Sequence, residues 1–180
     1  MPGPGTFYFP PDQLPWMDTL FSVFGRALAL ATRVESGVYA VAGLINLRLR
    51  PGIMDSKESL REFADQIRKG PLAKVIRELS NRDRKWFLYI FNVLNAAREA
   101  RNELVHEATL GFEHWSESEE EAEREIAHLR LLVRRLAIAD RSVSSLATLL
   151  SGEPRPTPAA FRTYHRNLER WVFSAWDATG

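Results

Sequence analysis

The sequence predicts an all-α protein, an up-down bundle of about four to five helices with an added C-terminal helix. Two observations favour this fold class. Apolar residues recur at intervals of three and four along every long segment, and no segment alternates apolar and polar residues as a half-buried strand does. Prolines, glycines and capping residues also separate these segments at the places where helices start and stop.

The composition is that of a soluble globular protein, with 45% apolar and 26% charged residues in a chain of 180. Because the chain has no cysteine, disulfides and thiolate chemistry are excluded and a reducing compartment is favoured. The opening residues, MPGPGTFYFPPDQLPW, have neither the basic nor the apolar segment of a signal peptide. We therefore expect a cytoplasmic protein.

Three parts are expected along the chain: an irregular lead-in over 1–16, a helical bundle over 17–151, and a linker with a C-terminal helix over 152–180. The first helix is expected over about 14–49, where apolar residues recur at helical spacing. Polar and charged residues interrupt its most apolar stretch at Arg33, Glu35 and Ser36. This interruption favours a core helix over a membrane span, so no membrane partner is expected.

Two short helices are expected after the first long one. Asp55 and Glu58 stand three residues apart, as in a capping box, and open a helix that Gly70 ends. Pro71 then occupies the first turn of a second short helix. Proline is favoured there because its missing N–H would have no intrahelical partner.

Two long helices complete the predicted bundle. The first is expected over about 82–109, with Gly111 as its C-terminal cap. The second is expected over about 117–150, opened by another capping box and ended by Gly152. The acidic run SESEEEAERE at its start fits the helix dipole, which favours carboxylates in a first turn by about 1 kcal/mol or less. Adjacent carboxylates alone do not converge on a metal ion, so no metal site is expected there.

The linker GEPRPTP leads into a C-terminal helix with a single apolar stripe at helical spacing. The stripe consists of Phe161, Tyr164, Leu168, Trp171, Val172 and Ala175. We expect it to cover the bundle or extend a dimer, and stacking on bases is the open alternative.

The charges are segregated along the chain, although the net charge is only +1. Residues 44–101 have thirteen Lys/Arg against seven Asp/Glu, residues 102–125 one Arg against nine Glu, and residues 126–180 eight Arg against four acids. So small a net charge disfavours binding of long nucleic acid by phosphate neutralisation alone. Local capture of a short or structured RNA and ordinary solvated helix faces are the two explanations left open.

The helix over 82–109 places an arginine where its pattern requires an apolar residue. On a helical wheel its apolar residues fall within about 100° of one another. They are Phe87, Ile90, Leu94, Ala97, Leu104, Val105 and Ala108. Arg101 falls inside this stripe, whereas Asn95, Asn102 and His106 fall on the flanking polar side.

An unpaired arginine in a core is costly, so three explanations of Arg101 are open. Its head group can reach solvent near the helix end, with only the stem buried. It can pair with Glu35, whose carboxylate would be equally unfavourable without a partner in the middle of the first apolar helix. Or the stripe faces a cleft at this point, where Arg101 receives a phosphate.

His106 has two explanations as well. A lone histidine is usually a surface or structural residue. However, Asn102 lies four residues before it on the same face and can orient the imidazole by a hydrogen bond. Arg101 points about 140° away from His106 around the helix axis. Two copies of the helix crossed about a two-fold axis would bring both residues of each copy into one cleft.

The hexapeptide RNELVH, from Arg101 to His106, resembles the R-x4-6-H signature of the HEPN superfamily. In that superfamily a polar residue such as Asn typically follows the Arg, and the signature lies near the C-terminal end of a long bundle helix. The resemblance covers about residues 17–150. The other histidines, His114, His128 and His165, have no Arg at this spacing before them.

The resemblance implies a metal-independent endoribonuclease that acts as a homodimer and serves as a toxin or as a phage-defence or stress effector. Its RNA substrate would be a tRNA, mRNA or rRNA, cut at the dimer interface by attack of the RNA 2′-hydroxyl to give a 2′,3′-cyclic phosphate. Arg101 would hold the scissile phosphate, His106 would be the general acid or base, and Asn102 would position it. Glu35 and Glu103 are expected as supporting residues. No cofactor and no metal ligand is expected.

One position departs from the family pattern. In HEPN toxins paired with minimal nucleotidyltransferases, a Tyr often stands two residues after the His, and here that position is Ala108. The departure argues against that particular pairing, while a different antitoxin protein stays open as a partner. The alternative function is a non-catalytic helical homodimer that binds a partner protein or nucleotide, with the motif as a structural element.

Overall fold

The computed structural model describes the backbone of residues 16–49, 57–59, 61–62, 65, 74, 86–111, 119–154 and 156–178. Regular structure in these ranges is entirely helical, which confirms the predicted all-α class. The four helices with described bounds are α1 (Met17–Leu49), α2 (Trp86–Gly111), α3 (Glu119–Ser151) and α4 (Pro158–Phe173). Most of the two short helices predicted over 55–80 lies outside the described residues.

Helix α4 runs antiparallel to both α1 and α3. On α1, Arg26 donates a hydrogen bond to Ser174 and Arg33 donates one to Tyr164, so later positions of α1 meet earlier positions of α4. The order against α3 is the same, with ring contacts that pair Arg130 with Phe173 and Arg141 with Phe161. Helices α1 and α3 therefore run in the same direction.

Helix α2 forms an antiparallel hairpin with α3. Residues 112–118 connect them, and Glu103 near the end of α2 contacts His128 near the start of α3. The described helices thus alternate in direction along the chain, in agreement with the predicted up-down arrangement.

All four helices contribute to one hydrophobic core. Its fully buried members include Val38 of α1, Leu104 of α2, Leu136 of α3 and Phe173 of α4. Burying a side chain of this size contributes about 1.5–3 kcal/mol, so α4 is tied to the bundle by core packing. By length and composition α1 would also pass as a membrane span, a test that core helices of soluble proteins pass as well.

A glycine allows α1 and α3 to approach closely. A Cβ atom added at Gly37 would lie 2.7 Å from Cγ1 of Val143, closer than real Cβ contacts come. The two helices therefore lie close together near Arg33 and Asp140, which form an ion pair one turn away.

The end of α3 follows the predicted signal, and α4 begins with a capping residue that was not predicted. Gly152 has a positive φ of 75° directly after α3, a conformation that favours glycine. The side chain of Thr157 accepts a hydrogen bond from the backbone N–H of Ala160 at 3.2 Å and caps α4, with Pro158 as its first residue.

The predicted apolar stripe of the C-terminal helix is wrong at one position. Trp171 is 46% exposed, whereas its neighbours Val172 and Phe173 are fully buried. Helix α4 ends at Phe173, and Arg130 of α3 stacks over the Phe173 ring with its guanidinium carbon 4.3 Å from the ring centroid. A contact at the helix end thus buries a side chain that the helical period alone places outside the stripe.

Candidate functional site

Arg101 lies at the edge of the buried face of α2 and forms an ion pair with α1. Its Nε atom is 3.4 Å from Oε2 of Glu35, and the side chains are 33% and 27% exposed, respectively. Of the three explanations of this arginine, the structure agrees with the pairing with Glu35. The Arg101 side chain is also partly in contact with solvent. Arg101 is not fully buried because Ala100 and Leu104 form the core face at this point of α2.

Asn102 contributes a second acceptor to the same guanidinium. Nη1 of Arg101 donates to Oδ1 of Asn102 at 3.3 Å. The sequence predicts that Asn102 orients His106, whereas the structure places its carbonyl oxygen on Arg101. The arginine is thereby held from two sides, by a carboxylate across the helix pair and by an amide on its own helix.

His106 lies exposed on the polar flank of α2. Since Arg101 and His106 are separated by about 140° around one helix axis, a single chain directs them to different sides of α2. An exposed imidazole is accessible to a large substrate such as RNA. The described chain therefore presents the two motif residues but does not bring their head groups together.

Tyr39 is a member of this region that the sequence analysis missed. Burial raises the pKa of the Tyr39 phenol above its usual value, the nearby Glu35 carboxylate raises it further, and Arg101 opposes the rise. Tyr39 lies four residues after Glu35, which puts both on one face of α1. This spacing of four residues is the sequence feature that could have indicated that Tyr39 lies near Glu35. Together these four residues, Glu35, Tyr39, Arg101 and Asn102, form what we call the Arg101 cluster.

Glu103 belongs to a different contact. Its Oε1 atom lies 2.6 Å from Nε2 of His128 on α3, where the pair joins the α2–α3 hairpin. Glu103 is two residues after Arg101 and thus points about 160° away around the axis. The structure does not bring it next to Arg101, so its expected support of the site would act only through the packing of α2.

A second polar cluster, which the sequence analysis also missed, ties together three helices. Asp140 of α3 is 2% exposed and is the one fully buried charged residue among those described. Nε of Arg33 lies 3.0 Å from its Oδ1 atom, and the hydroxyl of Tyr164 in α4 donates to Oδ2. Arg33, Asp140 and Tyr164 are called the Asp140 cluster below.

The electrostatics of the Asp140 cluster agree with its geometry. The Asp140 carboxylate raises the pKa of the Arg33 guanidinium. Burial raises the pKa of the Tyr164 phenol above its usual value, and the hydrogen bond to Asp140 raises it further. Arg33 also donates to the Tyr164 hydroxyl at 3.3 Å, so each member contacts both others. Such mutual satisfaction is typical of a structural network.

Within the described ranges, no group of three or more His, Asp or Glu side chains is placed to hold a metal ion. No family model, no characterised protein and no solved structure matches the chain. A functional proposal therefore rests on the residues of the Arg101 cluster, on His106, and on the resemblance of their motif.

Proposed function

We propose that this protein is a metal-independent endoribonuclease of HEPN type, which acts as a toxin or as a phage-defence or stress effector. The observation that supports the proposal best is the state of Arg101. A cation at the margin of the core is kept partly accessible, five residues before an exposed histidine, and its contact with the Glu35 carboxylate is as long as 3.4 Å. A purely structural arginine at this margin would gain more from a closer, bidentate contact with the carboxylate.

Each motif residue has the chemistry that RNA cleavage needs. Arginine presents a planar pair of N–H donors that matches two phosphate oxygens, so Arg101 binds the scissile phosphate and stabilises the charge that develops on it. His106 accepts the proton of the 2′-hydroxyl or donates a proton to the departing 5′-oxygen. Asn102 holds the Arg101 guanidinium in place.

The reaction balances without a protein nucleophile. The 2′-oxygen forms a bond to phosphorus while the bond from phosphorus to the 5′-oxygen breaks, and one proton moves from the 2′-oxygen to the 5′-oxygen. The products are a 2′,3′-cyclic phosphate and a free 5′-hydroxyl. Substrate binding replaces the carboxylate of Glu35 on Arg101 by a phosphate oxygen.

A homodimer resolves the separation between Arg101 and His106. The two side chains point about 140° apart on one helix, so one protomer cannot easily place both on a single phosphate. A two-fold axis beside α2 brings Arg101 of one copy towards His106 of the other. We expect light scattering to give the mass of a dimer, and a fully active monomer would contradict this arrangement.

The alternative is a non-catalytic helical homodimer that binds a partner protein or nucleotide. The Glu35–Arg101 contact favours it, because a motif arginine that already has a carboxylate partner can serve packing alone. The two functions differ in one respect that is easily measured: only the nuclease breaks RNA.

The test is cleavage of a labelled RNA pool with excess EDTA present. We expect cleavage to persist and the new 3′ ends to resist ligation until the cyclic phosphate is removed by polynucleotide kinase. His106→Ala, purified in parallel, controls for contaminating ribonucleases, which also work without metal. Cleavage that requires added Mg²⁺, or that is equal in the His106→Ala preparation, would refute the proposal.

A further inference from the structure

Three arginines form an exposed row along α4. Arg162, Arg166 and Arg170 are spaced by four residues, so they lie on one flank of the helix, and all three are exposed. Among the described residues none of the three forms an ion pair within 4.0 Å. Their charges are therefore open to solvent and to a partner.

Helix α3, which packs against α4, has a basic edge on the side that faces α4. Arg130 and Arg141 of α3 both contact aromatic rings of α4, and Arg134 lies between them on the same edge of the helix. Arg134 is exposed and, within the described part of the chain, has no ion pair. The strip formed by Arg134, Arg162, Arg166 and Arg170 is called the α4 basic strip.

Acidic residues also lie at this surface. Asp177 forms an ion pair with Arg130 on the facing edge of α3. Glu169 stands beside Arg170 in α4, and its Oε1 atom is buried without a hydrogen-bond partner in the described structure. A buried carboxylate oxygen of this kind offsets part of the positive charge locally but does not cover the four exposed guanidinium groups. The strip therefore keeps an excess of positive charge along about 12 Å of helix, since residues eight apart in a helix are separated by about that length.

We propose that the α4 basic strip binds the phosphate backbone of RNA, away from the Arg101 cluster. Successive phosphates of a single strand lie several ångströms apart, as do guanidinium groups one helical turn apart, and arginine forks bind phosphate oxygens in pairs. Three of its four arginines lie in α4, outside the part of the chain that resembles a nuclease. The strip would be an RNA-binding surface of the proposed nuclease, so the choice of RNA as its ligand rests on that proposed function. Binding can nevertheless be measured without cleavage.

The two clusters place the strip on the far side of α1 from α2. Arg33 contacts α4 and Glu35 contacts α2, and residues two apart on a helix point about 160° away from each other. An RNA that reaches both the strip and Arg101 must therefore extend around the bundle. A substrate that contacts both surfaces must therefore be long, because a short oligonucleotide reaches only one of them.

The test uses the full chain and a fluorescent 2′-O-methyl oligoribonucleotide, which lacks the 2′-hydroxyl nucleophile and cannot be cut by the proposed route. The variant is R162Q/R166Q/R170Q. The matched control is K57Q/R61Q/K74Q, which removes an equal number of positive charges from other exposed positions. Circular dichroism melts check that both variants fold, as exposed side chains of this kind allow.

Affinity is measured by fluorescence anisotropy over a range of salt concentrations. Each phosphate contact on a single strand changes the slope of log K against log salt by about 0.7, so the strip variant should lose about 2 units of slope. Its affinity at about 0.1 M salt should fall by between about tenfold and a hundredfold. The control should stay within about twofold of the wild type. Charges that do not contact the RNA displace no counterions from it, so their removal leaves this part of the binding free energy unchanged.

Three results would overturn this assignment. Wild-type affinity in the strip variant shows that the strip does not bind RNA, and an equal loss in the control shows only an effect of net charge. Loss of RNA binding together with dissociation of a dimer would assign the strip to contact with the acidic 102–125 segment of a second copy. Failure of the nuclease proposal has a different signature, because RNA then binds but is not cut.

Discussion

Helix α1 supports two arginine–carboxylate pairs that are two residues apart and opposite in character. Arg33 points towards α3 and α4 and pairs with Asp140, a residue that is 2% exposed. Glu35 points towards α2 and pairs with Arg101, and both members are about one-third exposed. The first pair has the Tyr164 hydroxyl as a third member, and the second has the Asn102 amide.

Burial decides what each pair can do. A carboxylate inside the core depends on its partners, because an unpaired buried charge is strongly unfavourable. A pair that is partly exposed contributes between about zero and 1 kcal/mol, since water solvates either member when the contact breaks. The Asp140 cluster thus stabilises the packing of three helices, whereas the contact between Glu35 and Arg101 can be broken at small cost.

The largest expected difference comes from removing the arginine of each pair. Arg33→Ala should lower the free energy of unfolding by about 3 kcal/mol, the lower end of the range for a buried pair, because Arg33 itself is 62% exposed. Arg101→Ala should change it by less than about 1 kcal/mol. Urea unfolding of the two variants side by side measures both. Equal losses would remove the distinction between the clusters.

A smaller effect is expected from the third member of the Asp140 cluster. Tyr164→Phe keeps the ring but removes the donor to Asp140, and should cost about 1.5 kcal/mol, as for a hydrogen bond to a charged group. The matched control is Tyr89→Phe, where the ring is exposed. Tryptophan fluorescence, with Trp171 and Trp176 in or next to α4, would report the loosening of this helix. If the two variants are equally stable, α4 is held by packing alone.

The smallest effect is expected in the alkaline range. The folded-state pKa values of Tyr164 and Tyr39 lie above the unfolded value of 10.0. The contribution of these two phenols to the stability of the fold is therefore fully present below pH 10 and is lost as the pH rises through the folded-state values. The raised pKa of Arg33 acts in the same sense, but only at a pH above the range in which the tyrosines ionise. Unfolding of the wild type and of Tyr164→Phe between pH 8 and 11 tests this. The variant should lose less stability per pH unit, and equal slopes would contradict the assignment.

Much of the fold could be predicted because amphipathic period, caps and helix ends are local in sequence. Gly152 shows this, since a glycine after a long periodic segment is a sufficient signal for the end of α3. The pairing of Glu35 with Arg101 was one of three alternatives, as each residue was conspicuous in an apolar helix. Asp140 was missed because its partners Arg33 and Tyr164 lie 107 and 24 residues away, a separation that periodicity cannot detect.

The central claim is that Arg101 and His106 serve function while their neighbour Leu104 serves the fold. The most direct measurement is a melting curve beside the RNA cleavage assay for Arg101→Ala, His106→Ala and Leu104→Ala. Leu104 is 1% exposed, so its truncation should cost about 2–5 kcal/mol through the cavity it leaves. The other two variants should stay folded and lose cleavage. If Arg101→Ala unfolds as Leu104→Ala does, or if Arg101→Ala and His106→Ala both stay folded and fully active, the claim is wrong.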